Sequence, residues 1–249
     1  MDLNLKGKVA LVTGAGGGFG AAIAAALADQ GCFVYLGDSN REGAARTESL
    51  LQGNGRAVEL DIGNAAVVAE KVRGMVSEKG RIDILVNNAG LLKTGSILDA
   101  TPEDWDQVCR VNLSGVFYCC KAVLPGMLER RSGKIVNIAS ISAVRGGGMF
   151  GNALYGATKA GVVALTKGFA RELGPFGINV NAISPGIAET PMTSRLLTAD
   201  KRRAALAAIP LGRLATTGDI ATMAVLLASD ATQYVTGETI VVDGGYLTR

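Results

Sequence analysis

Short, almost continuously apolar runs alternate along this chain with longer stretches of helical periodicity. The short runs are rich in β-branched residues and cover residues 9–13, 33–36, 57–60, 82–86, 134–138, 178–182 and 239–242. The longer stretches are rich in Ala and Leu and cover residues 21–30, 41–51, 65–78, 102–130, 153–173 and 219–228. Strands that are apolar on both faces are typical of parallel sheets covered by helices. The alternation therefore predicts an α/β fold, a doubly wound Rossmann-type sheet with helices on both faces.

One segment interrupts this rhythm. Residues 187–216 form a long stretch that contains Pro191 and Pro210. Long irregular segments in compact domains usually carry function, so we predict a substrate lid at about 187–216. No linker-like stretch divides the chain elsewhere, and we expect residues 1–249 to form a single domain.

Composition excludes several classes of protein. The chain has 25 basic and 22 acidic residues but no dense basic cluster, so we expect no nucleic-acid partner. We identify no apolar run long enough to cross a bilayer and no secretory leader, which predicts no membrane association. The cysteines (Cys32, Cys109, Cys119 and Cys120) show no C-x-x-C spacing, as expected of reduced thiols in a cytoplasmic protein. With no histidine and no paired thiols, the sequence predicts no metal site.

A glycine-rich turn follows the first predicted strand. Residues 13–20 contain Gly14, Gly18 and Gly20 in a G-x-x-x-G-x-G spacing and lead into an alanine-rich helix. Glycines there let the backbone turn tightly and approach a pyrophosphate, which the free N–H groups of the helix N-terminus bind. The position between a strand and a helix makes this motif a strong signal for a dinucleotide cofactor.

Polar residues follow the next predicted strands. Asp38 follows the second strand, where a carboxylate accepts hydrogen bonds from the adenosine ribose hydroxyls and repels a 2′-phosphate. Asp38 favours NAD over NADP, while the positive charge of nearby Arg41 keeps NADP open. Asp61 follows the third strand as a candidate for adenine, and residues 87–90 follow the fourth as candidates for a ribose. All lie at carboxyl ends of parallel strands, where open α/β sheets bind ligands.

Tyr155 and Lys159 are the candidates for proton transfer. Histidine, the side chain that titrates near neutral pH, is absent from the chain. A phenol and an ammonium four residues apart on one helix lie on the same face. A neighbouring positive charge lowers the pKa of a phenol from its usual value of about 10. The spacing permits a tuned acid–base pair but, taken alone, is more often an ordinary helical coincidence, so the other motifs of the chain decide between the two.

Together these motifs resemble the classical short-chain dehydrogenase/reductase family over nearly the whole chain. The matching positions are residues 13–20, Asp61, residues 87–90, Asn112, a serine after the fifth strand, Tyr155 with Lys159, residues 185–186, 235–237 and 243–245. The resemblance implies a seven-stranded parallel sheet, a nicotinamide cofactor and hydride transfer between an alcohol and a ketone. It also implies a homotetramer in which the helices at 102–130 and 153–173 pair across one interface.

The resemblance further implies roles for individual residues. Tyr155 would transfer the proton, Lys159 would lower its pKa and hold the nicotinamide ribose, and Asn112 would hold a water that links Lys159 to solvent. Ile187 and Thr190 would meet the nicotinamide carboxamide. The implied cofactor-binding set is Gly14, Gly18, Phe19, Gly20, Asp38, Asp61, Ile62, Asn88, Ala89, Gly90, Tyr155, Lys159, Pro185, Gly186, Ile187 and Thr190.

Two serines compete for the contact with the substrate oxygen. The family most often places this serine thirteen residues before the tyrosine, which gives Ser142, yet the fifth predicted strand ends at Ser140. The strand sets the geometry and residues 145–151 absorb the longer loop. We therefore predict Ser140, with Ser142 as a neighbour that touches the substrate.

The substrate pocket is predicted to be mostly apolar. The expected lining residues are Ser142, Phe150, Leu154 and Met192, with Met149, Leu196 and Leu197 as further candidates. They favour a hydrophobic secondary alcohol or ketone, although each also suits an ordinary core position. Arg145 and Arg195 are candidates for binding an acid group, with a plain surface role as the alternative.

The sequence therefore predicts an NAD-dependent oxidoreductase that interconverts a secondary alcohol and a ketone, with Ser140, Tyr155, Lys159 and Asn112 as its catalytic residues. One alternative is an NADPH-dependent 3-oxoacyl-thioester reductase, which has the same family pattern. Another is a cofactor-sensing protein without turnover, although such proteins usually lack the tyrosine or the lysine. We expect a small alcohol or ketone as the partner and a cytoplasmic location.

Overall fold

The computed structural model of the protein describes residues 2–248, which contain one seven-stranded parallel sheet. Its strands are β1 (Val9–Thr13), β2 (Phe33–Asp38), β3 (Gly55–Glu59), β4 (Ile84–Asn87), β5 (Gly133–Ile138), β6 (Ile178–Pro185) and β7 (Thr239–Val242). Their order across the sheet is β3-β2-β1-β4-β5-β6-β7. The order reverses between β1 and β4, and a crevice for a ligand is expected at such a switch point. The predicted doubly wound fold is confirmed.

Helices cover both faces of this sheet. They are α1 (Gly18–Asp29), α2 (Arg41–Glu48), α3 (Ala65–Lys79), α4 (Pro102–Cys109), α5 (Gly115–Arg130), α6 (Ser142–Arg145), α7 (Ala153–Leu173), α8 (Ala199–Ala208) and α9 (Thr217–Ala228). Successive residues of a strand point to opposite faces. Leu11 and Val12 of β1 accordingly belong to two different apolar clusters, and both are fully buried. The unbroken apolar runs in the sequence thus reflect burial on both faces of the sheet.

The observed elements differ from the predicted ones mainly at their ends. β2 and β6 continue to Asp38 and Pro185, because Asp38 still pairs with Glu59 of β3 and Pro185 with Val242 of β7. The segment at 187–216 is not one irregular loop, since it contains α8. Thr198 caps α8 by accepting the N–H of Lys201. The helix buries little apolar surface, which explains why the hydrophobic pattern did not reveal it.

The stretch at 102–130 corrects two expectations. A π-helical turn, Arg110–Ser114, separates α4 from α5 and interrupts the predicted continuous α-helix. Within residues 2–248, this stretch is also the one helix long and apolar enough to cross a membrane by length and composition. Its apolar side chains, such as Val116 and Met127, are buried in the cluster on one face of the sheet. That packing is typical of the core helix of a globular protein.

Candidate active site

The carboxyl ends of the central strands open into a cavity of about 330 Å³. Most of the residues selected from the sequence line it: Gly14, Gly18, Phe19, Asp38, Asn88, Ala89, Gly90, Ser140, Ser142, Phe150, Tyr155, Lys159, Pro185, Gly186, Ile187, Thr190 and Met192. Gly20, Asp61, Ile62, Asn112 and Leu154 lie outside the lining. The structure therefore places the predicted cofactor-binding residues and the predicted catalytic residues around one cavity.

The glycine turn after β1 is shaped by close backbone packing. Gly14 has φ +66°, and a Cβ there would lie 2.7 Å from the Cα of Ala89. A Cβ at Gly20 would lie 2.1 Å from the carbonyl oxygen of Gly14, so Gly20 lets α1 approach the turn rather than facing a ligand. A Cβ at Gly17 or Gly18 would instead make only ordinary van der Waals contacts, with Pro191 and Thr190 at 3.8 Å or more. Side chains at these two positions would fill the part of the cavity at the N-terminus of α1, where a pyrophosphate fits.

Thr13 and Asn88 fasten the ends of β1 and β4 together. The Thr13 hydroxyl accepts the backbone N–H groups of Asn88 and Ala89 at 3.0 and 3.1 Å. The Asn88 amide donates to the carbonyl oxygens of Thr13 and Gly14 at 3.0 and 3.1 Å. The sequence placed Thr13 in the glycine motif without a role of its own. The structure shows that it fixes the floor of the cavity at the switch point.

The carboxylate of Asp38 is tied to the glycine turn. One oxygen accepts the N–H of Gly16 at 2.8 Å and the other accepts the N–H of Asn40 at 2.8 Å. A Cβ at Gly16 would lie 2.9 Å from the first oxygen, so the turn leaves room for this carboxylate. Arg41 is exposed and does not line the cavity. The end of β2 thus presents a fixed negative charge to the cavity.

Asp61 and Ile62 lie at the same edge of the sheet, beyond the cavity. Asp61 is exposed, accepts the N–H of Gly63 at 2.9 Å and lies 3.7 Å from a guanidinium nitrogen of Arg110. Ile62 is buried, and its side chain occupies the space that a Cβ at Gly115 would need. Both follow β3, and the contact of Asp61 with adenine and the role of Ile62 in cofactor binding remain predictions.

Lys159 is buried and bonded to the end of β5. Its side chain donates to the carbonyl oxygen of Ile138 at 2.7 Å. The ammonium lies 5.8 Å from the centre of the Tyr155 ring, as the four-residue spacing predicted. Burial lowers the pKa of Lys159 to about 8, because the low-dielectric surroundings disfavour its charged form.

Tyr155 lies in the first turn of α7 and borders the cavity. Its backbone N–H is accepted by the N-cap residue Asn152 at 3.3 Å. Burial raises the pKa of Tyr155 above its usual value, while a side-chain hydrogen bond with Ser140 acts in the lowering direction. The sequence led us to expect a lowered pKa caused by Lys159. The difference arises because the ammonium is directed at the Ile138 carbonyl and burial outweighs the hydrogen bond.

The two candidate serines occupy different positions at the end of β5. The Ser140 hydroxyl accepts the N–H of Ser142 at 3.1 Å and interacts with the phenol of Tyr155. Ser142 begins α6, is 7% exposed and lies beside Gly148. Both line the cavity, but the contact with Tyr155 belongs to Ser140. This geometry favours Ser140 as the residue that meets the reacting oxygen.

Asn112 connects three elements around the lysine. It is fully buried in the π-helical turn. Its side chain accepts the N–H of Leu91 at 2.7 Å and donates to the carbonyl of Leu91 at 2.9 Å and to the hydroxyl of Thr158 at 3.2 Å. These bonds hold the segment after β4 against α7, one residue from Lys159. The water that the family pattern places at Asn112 remains a prediction.

The apolar side of the cavity differs in part from the predicted pocket. Met149 joins Phe150 and Met192 in the lining. Leu154 does not reach the cavity, because neighbouring positions on a helix point about 100° apart and Tyr155 faces it instead. Leu196 borders a second, adjacent cavity, and Leu197 borders neither. Tyr246, which the sequence did not suggest, also lines the catalytic cavity.

The site thus combines a phenol, an ammonium and a hydroxyl with a cradle for a dinucleotide. Such a set is chemically suited to transfer a proton at one end and to hold a nucleotide beside the glycine turn and Asp38 at the other. Among residues 2–248, no group of three acidic or cysteine side chains is placed to hold a metal ion.

Comparisons with known proteins agree with this geometry. A family model described as enoyl-(acyl carrier protein) reductase matches residues 14–247. The 3-oxoacyl-[acyl-carrier-protein] reductase of Vibrio cholerae is 40% identical over 243 residues, which cover 98% of this chain and 98% of that protein. The solved structure of the Brucella melitensis 3-ketoacyl-(acyl-carrier-protein) reductase complexed with NADH has a TM-score of 0.90 and 37% identity, covering 98% of this chain and 99% of that one. A putative 2-deoxy-d-gluconate 3-dehydrogenase from Agrobacterium tumefaciens with bound NADP also has a TM-score of 0.90, with 36% identity over 100% of this chain and 99% of that one.

Proposed function

The chain belongs to the short-chain dehydrogenase/reductase family of oxidoreductases, and on that basis we propose that it interconverts a secondary alcohol and a ketone with NAD(H). One observation carries the proposal. Ser140 and Tyr155 both lie in the wall of the cavity that Asp38 borders at its nucleotide end, and the Ser140 side chain acts to lower the pKa of the Tyr155 phenol. A substrate oxygen that contacts both hydroxyls would lie between a hydrogen-bond donor and a proton acceptor.

The side chains supply the proton transfer and the orientation. In the oxidative direction, the proton of the alcohol passes to the phenolate oxygen of Tyr155, and the hydride leaves the carbinol carbon. Ser140 donates a hydrogen bond to the substrate oxygen and stabilises the charge that develops there. In the reductive direction, the same proton returns from Tyr155 to the oxygen. NAD, when bound, supplies the hydride acceptor.

Several residues would hold the cofactor. The glycine turn and the N-terminus of α1 suit its pyrophosphate, and Lys159 suits the nicotinamide ribose. Asp38 suits the hydroxyls of the adenosine ribose and disfavours a 2′-phosphate. The basic residues in the cavity lining are Lys159 and Arg145, both at the substrate end. Neither residue is placed to bind a 2′-phosphate at the nucleotide end, so the charges of the lining support NAD rather than NADP.

A second candidate function is the reduction of 3-oxoacyl thioesters. It is supported by the relatives, because the Vibrio cholerae protein bears that name at 40% identity over 98% of this chain. Its reaction is the same transfer of hydride and proton to a ketone, so the same side chains would serve it. The two candidates differ in the group attached to the ketone and, with NADPH, in the cofactor.

A rate assay separates these possibilities. Purified protein is given secondary alcohols, ketones and an acetoacetyl thioester, each with NAD(H) and with NADP(H), while absorbance at the reduced-nicotinamide band is followed. We expect kcat/KM to be higher with NAD(H) than with NADP(H). A preference for NADPH together with the thioester would support the second candidate and count against Asp38 as the selector. Cofactor binding without any turnover would support a sensor.

A further inference from the structure

Arg145 lines the wall of the cavity beside the two serines. It ends the four-residue helix α6, which begins at Ser142. Residues three apart on a helix share a face, and their Cα atoms differ by about 4.5 Å along the axis. Both residues border the catalytic cavity. The backbone of Arg145 therefore lies one helical turn from Ser142, at the substrate end of the cavity.

The guanidinium of Arg145 rests on an aromatic ring. Its central carbon lies 4.9 Å from the centre of the Tyr246 ring. Tyr246 is 9% exposed and packs in an apolar cluster with Ile141 and Ile187, so the ring is a fixed support. A guanidinium that lies over a ring is oriented by it and keeps N–H groups at its edge for another partner.

The turn after β7 positions the ring of Tyr246 at the cavity. Gly244 and Gly245 have φ +65° and +87°, conformations that favour glycine. The Asp243 carboxylate accepts the N–H groups of Gly245 and Leu247, each at 2.8 Å. These bonds reverse the chain and bring Tyr246 beneath Arg145. The position of the arginine thus depends on a turn far from it in sequence.

The positive charge of Arg145 has no acidic partner in the part of the chain that the structure describes. No carboxylate of residues 2–248 lies within 4 Å of its guanidinium nitrogens. The negative lining residue, Asp38, ends β2, and β2 lies three strands, or about 14 Å across the sheet, from β5, the strand that precedes α6. The other basic lining residue, Lys159, is bonded to the Ile138 carbonyl. Arg145 thus places a positive charge at the substrate end of the cavity, and its guanidinium has N–H donors that no carboxylate of the described residues occupies.

We infer that Arg145 determines specificity by binding a carboxylate of the substrate, which makes the substrate a hydroxy acid or an oxo acid. A guanidinium binds a carboxylate through two parallel N–H···O bonds. A neutral alcohol, or a thioester without a nearby acid group, would leave these donors unused. The inference rests on the proposed function for the reaction, but the binding of the anion is measurable without turnover. Arg195, the other arginine considered from the sequence, does not line the cavity and provides a matched control.

The test compares acids with their neutral counterparts. Binding of butanoate and of butanamide to the NADH complex is measured by calorimetry for the wild type, Arg145→Gln, Arg145→Lys and Arg195→Gln. The kcat/KM for straight-chain 3-oxo acids and for their methyl esters is then measured with NADH. Melting temperatures of the variants confirm that each one is folded.

We expect Arg145→Gln to weaken butanoate binding and to lower kcat/KM for the acids by about 10- to 100-fold, the usual loss of a charged hydrogen-bonding partner. Butanamide binding and the rates with the esters should change less than about twofold. Arg145→Lys should restore part of the loss, and Arg195→Gln should behave as the wild type. Equal effects on acids and esters, or unchanged butanoate binding, would overturn the inference. Absence of turnover with preserved, Arg145-dependent butanoate binding would instead count against the proposed reaction alone.

Discussion

Lys159 on α7 donates a hydrogen bond of 2.7 Å to the carbonyl oxygen of Ile138, at the end of β5. Two residues later the same strand end presents Ser140, which interacts with Tyr155 one helical turn before the lysine. One bond between a helix and a strand therefore sets the relative positions of an ammonium, a phenol and a hydroxyl. The proposed proton transfer depends on this arrangement.

The contact between Ser140 and Tyr155 predicts unequal roles for the two serines. Removing Ser140 as Ser140→Ala should raise the pKa of Tyr155 further, because the hydrogen bond that lowers it is lost. It should also lower kcat by about 100-fold, a typical loss when one donor to a developing negative charge is removed. Ser142→Ala should leave the pKa of Tyr155 unchanged. Steady-state rates measure the change in kcat, and ultraviolet titration measures the pKa of the Tyr155 phenol. The Tyr155→Phe variant supplies the background for both. A larger loss in Ser142→Ala would reverse the assignment.

Burial of Lys159 predicts a pH-dependent cost to stability. Its pKa is about 8 in the folded protein and 10.5 ordinarily. Between these values the unfolded chain binds more protons, so the stability contributed at this site rises with pH. Between pH 8 and 10.5, the free energy of unfolding of the wild type should therefore rise relative to that of Lys159→Met, by at most about 3 kcal/mol. Urea unfolding of both proteins across that range provides the measurement, and a constant difference would show that Lys159 titrates normally in the fold.

The fixed carboxylate at the end of β2 predicts the cofactor preference. Asp38→Ala should weaken NAD binding by about tenfold, as expected for a lost charged hydrogen bond to the ribose. The same change removes a negative charge from the neighbourhood of a 2′-phosphate, so NADP should bind more tightly. Fluorescence titration with both reduced cofactors measures the ratio. An unchanged ratio would show that another residue selects the cofactor.

A buried polar network in the core predicts a large loss of stability. Asn137 is fully buried; it accepts from Asn87 at 2.8 Å and donates to the hydroxyl of Thr166 at 2.9 Å. Asn137→Ala should lower the free energy of unfolding by about 2–4 kcal/mol, because two buried groups lose a partner. Exposed Asn54→Ala should change it by less than about 0.5 kcal/mol. Denaturant unfolding tests both, and a loss in Asn137→Ala as small as that of the control would mean that the network contributes little.

Much of the fold could be predicted because the signals are local. The strands are apolar on both faces, and the spacing of Tyr155 and Lys159 fixes their common face. The ends of β2 and β6 were missed because Asp38 and Pro185 read as turn residues, whereas pairing with neighbouring strands keeps them in the sheet. Helix α8 was missed because it has no wide apolar face, and its N-terminus is instead stabilised by the capping residue Thr198.

The parts of the site that the sequence did not reveal depend on contacts between distant segments. Leu154 was predicted to line the pocket, but the rotation of the helix turns it away from the cavity that Tyr155 faces. Tyr246 and Arg145 are about one hundred residues apart in the printed sequence, and only the sheet order brings them together. The pKa of Tyr155 depends on how strongly burial competes with the Ser140 hydrogen bond, which spacing alone does not give.

The most direct test of the account is the turnover of Tyr155→Phe. This change removes the hydroxyl that would transfer the proton and keeps the ring. We expect kcat to fall by at least about 100- to 10,000-fold, the contribution of a positioned acid–base group, while NADH binding by fluorescence titration changes less than about threefold. Tyr118→Phe, on α5 and outside the cavity, should retain wild-type rates. Full activity in Tyr155→Phe would contradict the proposed mechanism.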